Sequence, residues 1–167
     1  MVHVTCLAHG LHRVAEVVRR NYPEVNRLIS SSKSIFLKAP LRVQTFRDFY
    51  SQIPLPPSPV ITRWGTWLKA AQYHSTHLEK VTNIVTTYDA DEAQSIAECQ
   101  QVLDNAELNI SLSYISANFN ILAETIEKLE TRGLALGEAV NLIEKVEHKL
   151  KTLYEKQYYD KLQSILR

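Results

Sequence analysis

All six prolines of this chain, Pro23, Pro40, Pro54, Pro56, Pro57 and Pro59, fall within its first 59 residues, and none follows as far as Arg167. Proline lacks a backbone N–H and clashes with the preceding helical turn, so its distribution limits where long helices can run. It divides the sequence into a punctuated first part and an uninterrupted second part. The cluster Ile53-Pro-Leu-Pro-Pro-Ser-Pro59 is held near polyproline geometry and reads as a stiff surface connector, with a PxxP-type ligand as the lesser alternative.

Apolar spacing fills in the elements. Val2-His-Val-Thr5 alternates as a short strand would, although a strand of that length needs a neighbouring sheet. Leu7, Leu11, Val14 and Val18 then form one stripe of a helix that ends near Asn21-Tyr-Pro23. Val25, Leu28, Ile29, Ile35 and Phe36 suggest a second helix, interrupted before Pro40 and followed by Leu41, Val43, Phe46, Phe49 and Tyr50. Beyond the connector, Trp64, Trp67, Leu68, Ala71, Leu78, Val81, Ile84 and Val85 fit a long helix to about Tyr88. Asp89-Ala-Asp-Glu92 has capping-box spacing and predicts a new helix with Ala93, Ile96, Cys99 or Gln100, and Leu103 inward. Leu108 to Leu129 carries Leu112, Ile115, Phe119, Leu122 and Ile126, and Thr131-Arg-Gly133 supplies a glycine stop. Leu136, Ala139, Ile143, Val146, Leu150 and Leu153 alternate gaps of three and four, a heptad seam that Gln157 and Asp160 end. The expected fold is mainly α, an irregular helical bundle with a short N-terminal strand, in two parts spanning residues 1–59 and 60–167.

A net charge of +1 conceals an asymmetry. Residues 1–69 hold ten Lys/Arg against three Asp/Glu, and the remainder nine against fifteen, giving +7 and −6. A basic first half attracts phosphate backbones, and an acidic second half repels them unless it packs elsewhere; the plain alternative is two solvated surfaces of different sign. No apolar run is long enough to span a bilayer, so no membrane association is expected. The N-terminus lacks the basic and apolar regions of a secretory signal, which predicts an intracellular protein and leaves Asn109-Ile-Ser111 unglycosylated. Cys6 and Cys99, far apart, suit reduced thiols in a reducing compartment.

Few residues point to chemistry. Cys6, His9 and Arg13 share a helix face opposite the Leu7/Leu11/Val14/Val18 stripe. Zinc needs about four ligands, and only His3 and His12 lie nearby, with no matching second pair, so no metal or other cofactor is expected. A Cys-His nucleophile pair would lack an orienting group. Asp89, Asp91 and Glu92 serve a helix start, Asp104 and Asp160 lie on polar faces, and no phosphate loop, Ser/His/Asp set or HExxH is present. Arg19, Arg20, Arg27, Lys33, Lys38, Arg42 and Arg47 are scattered at helical spacings, as either phosphate contacts or solvated flanks. Trp64 and Trp67 open a helix and read as core residues.

The segment His3-Val-Thr-Cys6-Leu-Ala-His9-Gly-Leu-His12, followed by Thr62-Arg63-Trp64-Gly-Thr-Trp67, resembles the CxxH and Arg-Trp segments of hAT-superfamily transposases. The resemblance covers about His3 to Leu68 and is architectural beyond, where that family carries a helical insertion. It implies the edge of an RNase H-like core for residues 1–59 and an insertion-type domain for 60–167. It also implies that Cys6 and His9 border transposon-end DNA and that Trp64, beside Arg63, stacks on a displaced base. The family's Asp-Asp-Glu acids precede and follow these segments. Because the chain begins five residues before Cys6, the expectation is a catalytically inactive, transposable-element-derived fragment and not an enzyme. Its expected partner is DNA, held weakly and without sequence preference through Cys6, His9, Arg13, Arg19, Arg20, Arg63 and Trp64, with a nuclear location if that role is retained. The alternative is a helical interaction module, in which the seam from Leu136 to Leu153 binds a second copy or a related transposase.

Overall fold

The computed structural model describes residues 6–60 and 62–166; the strand expected at Val2–Thr5 lies outside the described residues. Among the described residues every regular element is helical. The α-helices are α1 (Leu7–Asn21), α2 (Pro23–Phe36), α3 (Pro40–Phe49), α4 (Trp64–Val85), α5 (Gln94–Leu103), α6 (Leu108–Leu129), α7 (Leu136–Thr152) and α8 (Lys156–Leu166).

Prolines set the early boundaries as expected. Pro23 and Pro40 each occupy the first turn of a helix, where the missing N–H has no intrahelical partner to lose. Helix α2 is the less obvious case, since Ser30, Ser31, Ser32 and Ser34 are poor helix formers. Each bonds back to its own helix: Ser30 Oγ to the Asn26 carbonyl at 2.8 Å, Ser31 to Arg27 at 2.8 Å, Ser32 to Ile29 at 3.2 Å and Ser34 to Ser30 at 2.8 Å. That satisfies the hydroxyls of Ser31 and Ser32, which are both buried.

Helices α1, α4 and α6 form the centre. The stripe Leu11, Val14, Ala15 and Val18 of α1 is fully buried against α4 and α6. Helix α5 packs chiefly on α2, and α7 and α8 close the opposite side, with α8 lying against α1. The crossing of α1 and α8 is tight at Gly10, where an added Cβ would lie 2.6 Å from Ile165 Cγ2. Tyr158 anchors α8: its ring meets Phe119 edge-on at 4.8 Å, and its hydroxyl accepts from Asn21 at 3.1 Å.

The packing adds three particulars. The division at residue 59 does not divide the core, because one hydrophobic cluster joins Leu11, Val14, Val25 and Leu28 to Leu68, Ile96, Phe119 and Leu122. The Asp89 segment opens a single 3₁₀ turn (Ala90–Glu92), with Asp89 Oδ1 accepting from the Asp91 N–H at 3.0 Å. Glu92 turns instead to Arg42, 3.1 Å away, and the helix proper starts at Gln94. Cys99 and Val102 then face the core, whereas Gln100 caps the end of α4 by donating to the Val85 and Tyr88 carbonyls at 3.0 and 2.9 Å. The heptad seam is not an outward surface: Ala139, Ile143, Val146, Leu150 and Leu153 are buried, and only Leu136 is exposed. The apolar stripe satisfies itself on α6 and α8.

The proline-rich connector is strapped to the bundle. Pro56 is buried, Tyr73 donates to the Pro54 carbonyl at 2.7 Å, and the Val60 N–H bonds to Thr66 Oγ1 at 2.9 Å. This delivers Trp64 to the α1–α2 corner.

Candidate functional site

At that corner α1 ends on Asn21 and α2 begins on Pro23, so residues one turn before and one turn after the bend face each other. Arg19 reaches across it, its Nε donating to Asn26 Oδ1 at 2.8 Å. Its guanidinium carbon also lies 4.7 Å from the centroid of the Trp64 ring, a cation–π contact that fixes both side chains. Beneath them a groove of about 150 Å³ is lined by Arg19, Asn26, Lys33, Val60, Trp64 and Trp67, among others, and by no carboxylate. Trp67 is 2% exposed, and its indole Nε1 has no hydrogen-bond partner among the described residues.

The basic side chains of the first half differ in their availability. Arg20 pairs with Glu16 at 2.6 Å, Arg27 with Glu24 at 3.6 Å, Arg42 with Glu92, and Lys69 with Glu127 at 2.8 Å. Arg13, Arg19, Lys33 and Arg63 have no carboxylate within ion-pairing distance among the described residues. Of the expected contact residues, the structure therefore brings Arg19 and Trp64 together. Cys6, His9, Arg13 and Arg20 are exposed, at or on the outward side of α1, and take no part in the groove. Arg63, although next to Trp64 in sequence, lines a different recess with His12, Lys69, Glu127 and Glu130.

In that recess His12 is a structural bridge. Its Nδ1 accepts the Gly65 N–H at 3.3 Å, so in the neutral ring Nε2 carries the proton and donates to Glu130 Oε1 at 3.4 Å. One side chain of α1 thus ties the start of α4 to the end of α6. The other inward histidine, His74, is fully buried, with Nε2 3.1 Å from Ser32 Oγ and Nδ1 unpartnered. Burial, with a smaller effect from His77, pushes its pKa down to about 3. Burial also pushes the Cys99 thiol up to about 11, partly offset by a hydrogen bond from Ser31, which leaves a protonated core residue.

Lys33, which the sequence placed among seven scattered basic residues, and Trp67, which it read as core, complete the cationic and aromatic lining of the groove. A signal existed for Lys33: Asn26, Ser30 and Lys33 recur at four and three residues, a polar stripe on α2 beside the buried Ile29. Among the described residues no group of three His, Cys, Asp or Glu gathers closely enough to hold a metal ion, and no helix is long and apolar enough to cross a membrane.

The architecture and groove define a mainly helical protein with a basic, aromatic-lined cleft at a helix corner. No protein-family model, curated protein or solved structure matches the chain.

Proposed function

We propose that this chain is a catalytically inactive, hAT transposase-like protein that contacts nucleic acid weakly and without sequence preference, through the cleft at the α1–α2 corner. In this reading its first helices correspond to the edge of an RNase H-like core, the later ones to a helical insertion, and its location is nuclear. The observation that carries the reading is the pairing of Arg19 with Trp64 above a groove that also holds Lys33 and has no carboxylate in its lining. Unpaired cations beside an aromatic ring are what a phosphate backbone seeks, and phosphate contacts carry affinity without reading sequence.

The test is fluorescence anisotropy of labelled single-stranded and duplex DNA at low and at physiological salt. Binding should weaken steeply with salt, and Lys33→Gln should lower the slope of log affinity against log salt by about one. Trp64→Ala, accepted only if its melt stays cooperative, should weaken binding further. An affinity that is absent at low salt, or indifferent to salt and to both variants, defeats the proposal.

A further inference from the structure

We infer that the groove at the α1–α2 corner is a phosphate subsite, in which Trp64 is a platform for Arg19 and not for a base. This deepens the nucleic-acid reading above and rests on it for the source of the phosphate, though not for the chemistry of the groove.

Size is the first argument. Pockets that enclose whole organic ligands run about 300–1,000 Å³, whereas this groove offers about 150 Å³. A tetrahedral oxyanion fits such a space, and a nucleotide with its base and sugar does not. The second argument is occupancy of the aromatic face. Arg19 already lies 4.7 Å from the Trp64 centroid and is held there by Asn26 at 2.8 Å. A base could stack on that face only by breaking both contacts. The geometry that blocks a base favours an anion: with Nε engaged by Asn26, the terminal guanidinium nitrogens of Arg19 have no protein partner among the described residues. A guanidinium so oriented presents paired donors to phosphate oxygens.

The third argument is the donor inventory. Lys33 adds an unpaired ammonium. Ser30 also lines the groove, but its hydroxyl donates to the Asn26 and Arg27 carbonyls of its own helix and supplies no proton to a ligand. Trp67 carries one that no described group accepts. An indole N–H is donor only, and burying one without an acceptor destabilises the fold. Trp67 stands in the lining, almost wholly buried, with its Nε1–H unpartnered. Two cations and an orphan donor, with no acid, form a set that an oxyanion satisfies and a neutral or cationic ligand does not.

The test uses the full chain and four probes: inorganic phosphate by isothermal titration, and by anisotropy a single-stranded oligonucleotide, an abasic deoxyribose-phosphate strand of equal length, and an uncharged methylphosphonate strand. The expected result is that the abasic strand binds about as well as the DNA, that the methylphosphonate strand does not bind, and that phosphate competes. Trp67→Phe, which keeps the ring and removes the donor, should weaken phosphate and both charged strands by about tenfold, with its melting temperature unchanged or raised. Binding of the DNA but not of the abasic strand would overturn the inference and leave the nucleic-acid reading standing, since it would mean a base on Trp64. Binding of inorganic phosphate, lost in Trp67→Phe, with no DNA bound would uphold the subsite and defeat the nucleic-acid reading. Indifference of all ligands to Trp67→Phe overturns the inference.

Discussion

His74 shows how much one side chain can couple this protein to pH. In the unfolded chain it binds a proton near 6.5, whereas in the folded protein burial holds it neutral until about 3. Between those values the unfolded state binds more protons, so stability falls as the pH is lowered through that window, at up to roughly 1.4 kcal/mol per pH unit. Urea midpoints should therefore correspond to a loss of about 2 kcal/mol between pH 7 and pH 5. His74→Gln, which can keep a hydrogen bond to Ser32, should remove most of that loss; equal acid sensitivity in the two proteins would show that other groups control it. Gly10 is the steric counterpart. Alanine at this position would gain helix propensity but place its Cβ 2.6 Å from Ile165 Cγ2, a methyl that can move away only by leaving the χ1 rotamer a β-branched residue prefers in a helix or by shifting α8. Gly10→Ala should lower stability by about 1–3 kcal/mol, and adding Ile165→Ala should recover part of it, as read from denaturation of the single and double variants.

At the scale of the helix, pattern and partner have to be kept apart. The period of three and four from Leu136 to Leu153 announces an amphipathic helix, and α7 is one, but the period cannot say whether the stripe meets this chain or another. The bundle answers that, since Val146 and Leu150 are fully buried within it. Leu150→Asp should accordingly cost several kcal/mol and broaden or abolish the thermal transition. Leu136→Asp, at a position 79% exposed, should stay within about 0.5 kcal/mol of the parent. If sedimentation instead showed a dimer that Leu150→Asp converts to a folded monomer, the seam would be intermolecular after all. The Asp89–Glu92 turn teaches the same lesson. Its spacing permits a capping box, but Arg42, fifty residues earlier in the chain, offers Glu92 a charged partner that a backbone N–H cannot match.

For the molecule as a whole, the decisive property is that the centre is built from both sides of the proline-rich connector. Helix α1 lies on α4, α6 and α8, and α2 on α5, so neither part has a complete core without the other. The intact chain should unfold in one transition, with far-ultraviolet circular dichroism and tryptophan fluorescence superimposing. A fragment of residues 60–167 should lose that cooperativity, because Leu68, Ile96 and Cys99 would lose the surfaces that cover them. Two separated transitions in the intact chain would restore the two-part reading. The groove has the same dependence: Arg19 and Lys33 come from before the connector, Trp64 and Trp67 from after it, and the strap through Pro56 and Tyr73 holds the connector against the bundle between them.

What the sequence determined by itself was local. Proline positions and apolar periods locate the helices, because helix formation depends on neighbours three and four residues away. The groove was legible only in pieces: Arg19, Trp64 and Lys33 could each be seen as a possible contact, and Trp67 as core. Tertiary structure alone decided that Arg19 stacks on Trp64, that Lys33 meets no carboxylate among the described residues, that Arg63 turns to another recess, and that the α7 seam faces inward. The physical reason is that a side chain's partner is chosen among groups distant in sequence. Which of them wins depends on burial and charge at a point in space that no periodicity along the chain encodes.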